Sequence, residues 1–314
     1  MVSNVLTTVT APARAAVACK LCGEPAEHLC RTANATGTVR QLDHFRCRGC
    51  GLVFIGTPLS GDDLADAYAA VDMDRYYREI ATRTVEKYAT SLSDLRRAGL
   101  TETSRILDVG TGDASFLAYL REAGFQQLTG QEIPGDTADQ AEAAGFTIYR
   151  DFGCESIPAN SFDAATLLDV FEHVPDPLEF ARGIARTLRP DGLFYCHTPA
   201  VTCLDRWMHR AQRLPVARKI ATTWQSGRTS IFHLQNYTRG ALELVLREAG
   251  FVDVRVQFVN ELSWPVGTYV RVYLCEHRGL PRPLGWLLTP LLFPVLRSSL
   301  LNGNKAIVTA RKPA

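Results

Sequence analysis

Three sets of residues in this 314-residue sequence have the types and spacing to do chemistry. The first is Cys19-x-x-Cys22 with Cys47-x-x-Cys50, each pair followed directly by a glycine, Gly23 and Gly51. A two-residue gap lets both thiolates of a pair face one ion. Four sulfurs complete a tetrahedral zinc and leave no position open, so a zinc here would hold structure and do no chemistry. Backbone amides freed by the two glycines can point at the sulfurs. The second set is the stretch ILDVGTGDASFL, residues 106–117: an apolar run ending at Asp108, a turn around Gly110 and Gly112, then the opening of an amphipathic helix. Strand, glycine turn and helix make a seat for a nucleotide. Gly110 and Gly112 are followed by Ala114 and Ser115, so the last glycine of a dinucleotide fingerprint is missing and NAD is disfavoured. No Gly-Lys-Ser/Thr ending marks a phosphate loop either. Glu132 closes the next apolar run, where an acid can accept both ribose hydroxyls. The third set is His173, which follows Glu172, and His233 in FHLQNYT. Imidazole is the usual general base near neutral pH. Either histidine can equally satisfy a helix end or a buried carboxylate, and both readings stand at this point.

The elements that must position these residues are read from periodicity. From residue 104, short apolar strands alternate with helical stretches: SRILDVG, ASFLAYLREAG, QLTGQEI, TADQAEAAG, FTIYR, FDAATLLDV, PLEFARGIARTLRPDG and LFYCHTP. That rhythm predicts an α/β fold with a Rossmann-like, doubly wound, mostly parallel sheet, its ligand beyond the carboxyl ends of the strands. FVDVRVQFV and KAIVTARK read as closing antiparallel strands. Ahead of this lies a small ribbon at 19–56, ending in the strand and turn GLVFIGTPLS, and a helical linker at 57–103 with Gly99 as its stop. Residues 1–18 read as a flexible leader, and 104–314 as the main domain with insertions at 201–240 and 260–302.

Composition narrows the function classes. With 46% hydrophobic and 21% charged residues the chain can bury a full core. A formal net charge of +1 argues against a general electrostatic grip on nucleic acid. The first residues lack the apolar core of a signal peptide, so the expectation is a cytoplasmic protein, and nine cysteines are then read for metal before disulfide. LGWLLTPLLFPVL, from Leu284, is too short to span a bilayer and carries Pro290 and Pro294.

The span from about residue 70 to the end resembles the class I S-adenosylmethionine-dependent methyltransferases. ILDVGTGDASFL is similar to their cofactor loop, LTGQEI to their ribose-binding strand end, and FDAATLLDVFEHVPDP to their fourth-strand signature; LRPDGLFYCHTP and HLQNYTRGALELVLREAGF follow in the family's order. The paired cysteines with CGLVF resemble a zinc-binding front end found on some of these enzymes. The resemblance implies S-adenosylmethionine as cofactor beside a structural zinc. Gly110 and Gly112 would admit the methionine part, Asp108 would hold the loop and the ammonium side, Glu132 would take the ribose, and Asp169 would line the cleft. Tyr76 or Tyr77 would close over the carboxylate. Two departures stand out: Ala114 replaces a usual glycine, and Gly153 stands where the family often has an acid to read the adenine amine, a task left to Asp151, Phe152 or the Cys154 amide.

The acceptor is read from the insertions. Arg206, Arg210, Arg213, Arg218, Lys219, Arg228 and Arg239 face a single acid, Asp205, between 201 and 240. Leu204, Trp207, Met208 and Ala211 make an apolar helix stripe, with Arg206, Arg210 and Arg213 on another face. The basic face is either solvated or suits an anionic small molecule, and Trp207, Trp224 and Tyr237 offer flat surfaces for a ring. The 260–302 insertion reads as a lid or a dimer face. The leading expectation is O-methylation of a small anionic metabolite or natural-product or sugar intermediate by in-line transfer. Zinc-ribbon RNA methylation and non-catalytic cofactor binding are the alternatives.

Overall fold

The computed structural model describes residues 17–33, 41–57, 73–211, 214–215, 217, 221, 233–261, 266–267 and 282–314, with backbone alone at 32–33, 73–83, 282, 284–285 and 288. Residues 1–16 of the expected leader, the turn at Pro58, Arg213, Arg218, Lys219, Trp224 and Arg228 lie outside the described residues, while Val17 and Ala18, expected as leader, are a strand paired with Ala26 and Pro25.

The expected Rossmann-like sheet is present. Strands β5 (Arg105–Val109), β6 (Gln127–Glu132), β7 (Thr147–Arg150), β8 (Phe162–Leu168), β9 (Leu188–Pro199), β11 (Val252–Val259) and β12 (Lys305–Arg311) form it in the order β11-β12-β9-β8-β5-β6-β7. Pairs β5–β6, β5–β8, β6–β7 and β8–β9 are parallel, whereas β12 runs antiparallel to β9 and β11. The chain leaves β5 toward β6 on one side and reaches β8 on the other. The reversal of order, and so the crevice, therefore lies at the carboxyl ends of β5 and β8.

Period-two alternation sends successive side chains to opposite faces. Leu107, Ala165, Phe194 and Val308 pack on one side with Ala181 and Ile184 of helix α4 (Pro177–Thr187) and Leu242 and Val245 of α6 (Arg239–Glu248). Ile106, Ala164, Tyr195 and Ile307 pack on the other with Leu95 of α1 (Met73–Arg97) and Phe116 and Leu120 of α2 (Ser115–Glu122). Helix α3 (Asp136–Ala143) joins β6 to β7, and Ala141 packs with Leu117 and Phe146. The apolar insertion holds α7 (Arg282–Arg297) and α8 (Ser299–Asn302). No helix among the described residues is long and apolar enough to cross a membrane.

Three expectations are corrected. The stretch read as helix through Gly192 ends at Thr187, and Leu188 already pairs with Phe162 as β9 begins; the proline at 190 biases Arg189 toward extended backbone. The front sheet also does not end with its own strands. β1 (Val17–Ala18), β2 (Pro25–Ala33), β3 (Gln41–Cys47) and β4 (Val53–Ile55) are joined by β10 (Gln235–Asn236), antiparallel to β4. In α5 (Cys203–Ala211), Trp207 is 72% exposed, and the buried residues are Asp205 and His209 instead of the apolar stripe. Asp205 accepts from the Thr202 amide and donates its own amide to the Thr202 hydroxyl, both at 2.9 Å, a reciprocal cap that turns this face inward.

Gly183 lies inside α4, where alanine would ordinarily be favoured by about 1 kcal/mol. A Cβ there would stand 2.3 Å from the Gly153 carbonyl oxygen, a backbone atom. Gly183→Ala is expected to lower stability by about 2 kcal/mol, read from the urea midpoint; an unchanged midpoint would show that the 153 turn yields.

Candidate active site

The loop after β5 is built by backbone that only glycine takes without strain. Gly110 has φ +68° and Gly112 φ +58°, and a Cβ on Gly110 would stand 2.6 Å from Cγ2 of Val170. Around Gly112 there is open space. Ala114 is fully buried at φ +63°, so the departure from glycine costs left-handed strain more than room. The Gln131 carbonyl accepts from the amides of Gly110 (2.8 Å) and Thr111 (3.0 Å), and its side chain accepts from Gly110 at 3.2 Å and donates to the Asp151 carbonyl.

Glu132 accepts from the Gly112 amide at 2.7 Å on one oxygen and from the Ile133 amide at 3.0 Å on the other. Each oxygen keeps capacity for a further donor. Burial raises its pKa, and the two amides oppose the rise. Asp108 is buried, with Oδ1 accepting from the Thr166 hydroxyl at 2.7 Å. Burial pushes it up to about 6 against that hydrogen bond. Asp151 accepts from the amides of Cys154 (2.9 Å) and Ser156 (2.8 Å) and from the Ser156 hydroxyl, so its carboxylate caps its own turn. Phe152 is 53% exposed beside it. Tyr77 lies on α1, its side chain outside the described residues.

Asp169, at φ +60° just after β8, receives the ammonium of Lys87 at 2.8 Å on one oxygen and that of Lys305 on the other. Burial would raise its pKa, but the two ammoniums, with His197 behind them, hold it well below the ordinary carboxylate value. His197 is buried with Nδ1 3.9 Å from Asp169 and Nε2 3.6 Å from Glu261. Desolvation pushes it down to about 4 despite the Asp169 charge.

The turn Phe171–His173 brings the sequence's two candidate bases together. Glu172 is fully buried, with Oε2 accepting from the Thr198 hydroxyl at 2.8 Å, while Oε1 accepts no hydrogen bond among the described residues. That oxygen lies 3.9 Å from His173 Nε2 and 4.0 Å from His233 Nε2, and the two imidazoles meet edge to face at 5.1 Å. The three ligand atoms fall within 4.8 Å of one another, a donor set able to take a divalent ion. Tyr237, expected as a ring platform, is instead fully buried; it stacks on Phe171 at 5.1 Å and donates to that residue's carbonyl at 2.9 Å.

The four ribbon sulfurs also lie within 4.8 Å of one another, with Cys19–Cys50 at 3.7 Å and Cys22–Cys47 at 3.3 Å. Tetrahedral bonds of about 2.3 Å require sulfurs about 3.8 Å apart, so the donor set fits zinc. Backbone amides do reach the sulfurs, among them Leu21 (3.4 Å to Cys19) and Gly49 (3.3 Å to Cys47). Gly23 and Gly51 supply left-handed backbone at φ +73° and +76°.

A family model described as "Methyltransferase domain" matches residues 50–256, more than half of the chain. The chain belongs to the class I S-adenosylmethionine-dependent methyltransferases. A ubiquinone biosynthesis O-methyltransferase from Actinobacillus pleuropneumoniae is 32% identical over 106 residues, covering 30% of this chain and 45% of that protein. The C-methyltransferase NovU of Streptomyces niveus is 27% identical over 179 residues, 52% of this chain and 39% of its own. The matched region is thus less than half of either relative. A chain from the solved complex of the Haloferax volcanii Trm112 methyltransferase activator shares the fold, with a TM-score of 0.52 and 16% identity over 79% of this chain and 97% of that one.

Sequence reasoning had not singled out Gln131, Lys87, Lys305 or His197 in this methyltransferase. For Gln131 a faint signal exists, a polar residue ending an apolar strand beside Glu132. The others carry none, because their partners come from distant elements.

Two outcomes follow. Glu132→Ala removes both the loop's tether and the acceptor at the strand end, and is expected to weaken S-adenosylhomocysteine binding by about tenfold or more, measured by calorimetry. For His197, the folded value lies below the ordinary 6.5, so its neutral form stabilises the fold above about pH 6.5 and that contribution fades as the pH falls toward 4. His197→Gln abolishes this dependence. The stability difference between wild type and variant should therefore shift by about 2 kcal/mol in the variant's favour from pH 7.5 to 5; a constant difference would mean that His197 is not buried neutral.

Proposed function

We propose that this methyltransferase transfers a methyl group to an oxygen of a small, anionic metabolite or natural-product or sugar intermediate. The observation that carries the oxygen reading is the pairing of His173 and His233 around the buried Glu172 carboxylate, beside the carboxyl end of β8. A hydroxyl acceptor must lose a proton as the new bond forms, and an imidazole backed by a carboxylate is suited to take it. S-adenosylmethionine supplies the methyl group as a sulfonium. In this reading Gly110 and Gly112 let the backbone approach its methionine part, Asp108 braces the loop against β8, Glu132 takes the ribose hydroxyls, and Asp151 and Phe152 border the adenine end. Asp169 lines the cleft, and Tyr77 closes it from α1. Lys87 of the same helix already reaches Asp169, which supports the linker as a cover. Arg206 and Arg210, exposed on α5, support an anionic acceptor; the relatives include both an O- and a C-methyltransferase, so the oxygen reading rests on the histidines. The sulfur geometry supports a structural zinc on Cys19, Cys22, Cys47 and Cys50.

One observation favours a second reading of the same site. The oxygen of Glu172 that accepts no hydrogen bond, with two imidazoles near it, can bind a divalent ion that would itself lower the pKa of the acceptor hydroxyl.

Methyl-labelled S-adenosylmethionine incubated with the protein and a cell extract, then separated into small molecules, protein and RNA, tests the function. Label is expected in anion-exchange-retained small molecules, with turnover falling about a hundredfold in His173→Gln or His233→Gln; label in RNA, or on carbon, would overturn the reading. Metal analysis is expected to find one zinc per chain, lost in Cys22→Ser, and an additional equivalent lost in His233→Gln would favour the second reading.

A further inference from the structure

The ribbon does not merely precede the methyltransferase domain; it grips the short segment that follows His233 and reaches the turn that follows His173. Three contacts make the grip. Strand β10 completes the ribbon sheet, with Gln235 opposite Phe54 and Asn236 opposite Val53, and the Ile55 amide donates to the Leu234 carbonyl at 3.0 Å. From the first cysteine turn, Lys20 extends its ammonium to the Gln235 side-chain oxygen and to the Pro175 carbonyl at 3.1 Å. Onto the second turn, Thr238 donates its hydroxyl to the Cys50 carbonyl at 2.6 Å. Each cysteine turn is therefore pinned to the same short stretch of chain.

Gln235 stands at the centre of this arrangement and is fully buried. A primary amide has two N–H donors and a carbonyl acceptor. Here the nitrogen donates to the carbonyls of Phe171 (3.2 Å) and Val174 (2.5 Å), and the oxygen takes the Lys20 ammonium. The two carbonyls lie at the ends of the turn that holds Glu172 and His173, so one side chain clamps both ends of that turn. His233 is two residues before Gln235 on the chain. The clamp thus places one histidine through the turn and the other through its own backbone.

We propose that Gln235 is a positioning residue for methyl transfer, and that the four-cysteine ribbon, acting through Lys20 and Gln235, sets where His173 and His233 stand. The inference rests on reading those histidines as acceptor-side groups, whether as bases or as metal ligands. It gives the ribbon a task at the acceptor end of the reaction, while the cofactor end is held separately by Gln131 and Glu132.

The test uses the full chain saturated with S-adenosylhomocysteine and follows the imidazole Cε1–H resonances by NMR against pH. His173→Gln and His233→Gln supply the assignments. Gln235→Leu removes the clamp, and Lys20→Met cuts the ribbon's link while leaving the amide in place. Both variants are expected to move the titration midpoints of the two histidines by about half a unit or more, with S-adenosylhomocysteine affinity within about twofold of wild type, because nothing at the cofactor end is changed. On the acceptor found in the labelling experiment, kcat should fall about tenfold with the KM for S-adenosylmethionine unchanged. Midpoints that stay in place in both variants would overturn the proposal, and a shift in Gln235→Leu alone would overturn the ribbon's part in it. Should Gln235→Leu fail to fold, Lys20→Met decides, as it leaves both bonds donated by the Gln235 amide intact. Failure of the proposed function shows separately, as label in RNA or on carbon in the labelling experiment, whereas the midpoints would still report on the clamp.

Discussion

The carboxylate of Asp169 is the constraint around which the cleft is organised. It follows the central strand β8 in left-handed backbone, its amide bonded to the His197 carbonyl at 2.8 Å. Its side chain gathers Lys87 from α1 and Lys305 from β12. One carboxylate thus ties the linker helix, the central strand, its neighbour β9 and the antiparallel closing strand together where strand order reverses. Desolvating a carboxylate costs free energy, and two ammoniums with direct contacts offset that cost. The crevice forms there because the parallel strands end there, and it keeps its shape because the charges at its floor are paired.

Two ends of the site hang on this floor and are held by different chemistry. The cofactor end is mostly backbone: glycines in left-handed conformation, carbonyls turned back onto the loop, and a carboxylate on two amides. Such a cradle is stiff and tolerates little change, since a Cβ at Gly110 would meet Val170 and one at Gly130 would meet Ile148 and Thr111, each at 2.6 Å. The end proposed for the acceptor is made of side chains, with a buried acid beside two imidazoles on segments far apart in sequence. On the proposed reading, variation there would alter the acceptor without disturbing the cradle.

The front ribbon carries an ordinary structural motif into this economy. Too small to bury a core of its own, it contributes Phe45, Leu52 and Phe54 to the core that also holds α4 and α6. The shared core supports this short sheet, and its four-sulfur donor set fits a zinc that would tie the two cysteine turns together.

Much of this was legible in the residues themselves. The cysteine spacing, the glycine loop, the acids at strand ends and the alternation of strands with helices are local patterns, and local patterns follow from dihedral preference and side-chain period. The mostly parallel sheet and the sulfur cluster agree with them. Tertiary structure decided what depends on partners from afar. The apolar stripe of α5 was overruled by a reciprocal Thr202–Asp205 cap and the side chain of His209 turned inward. Tyr237, read as a surface for a ligand, became core because Phe171 offered both a ring and a carbonyl. Lys305 gave no sign of importance until β12 folded back beside β9, and Gln235 looked like a loop residue until the ribbon laid β4 against it. Periodicity records which way a side chain points within its own element, whereas what it meets there is set by chain closure across a hundred residues or more, and no local pattern encodes that.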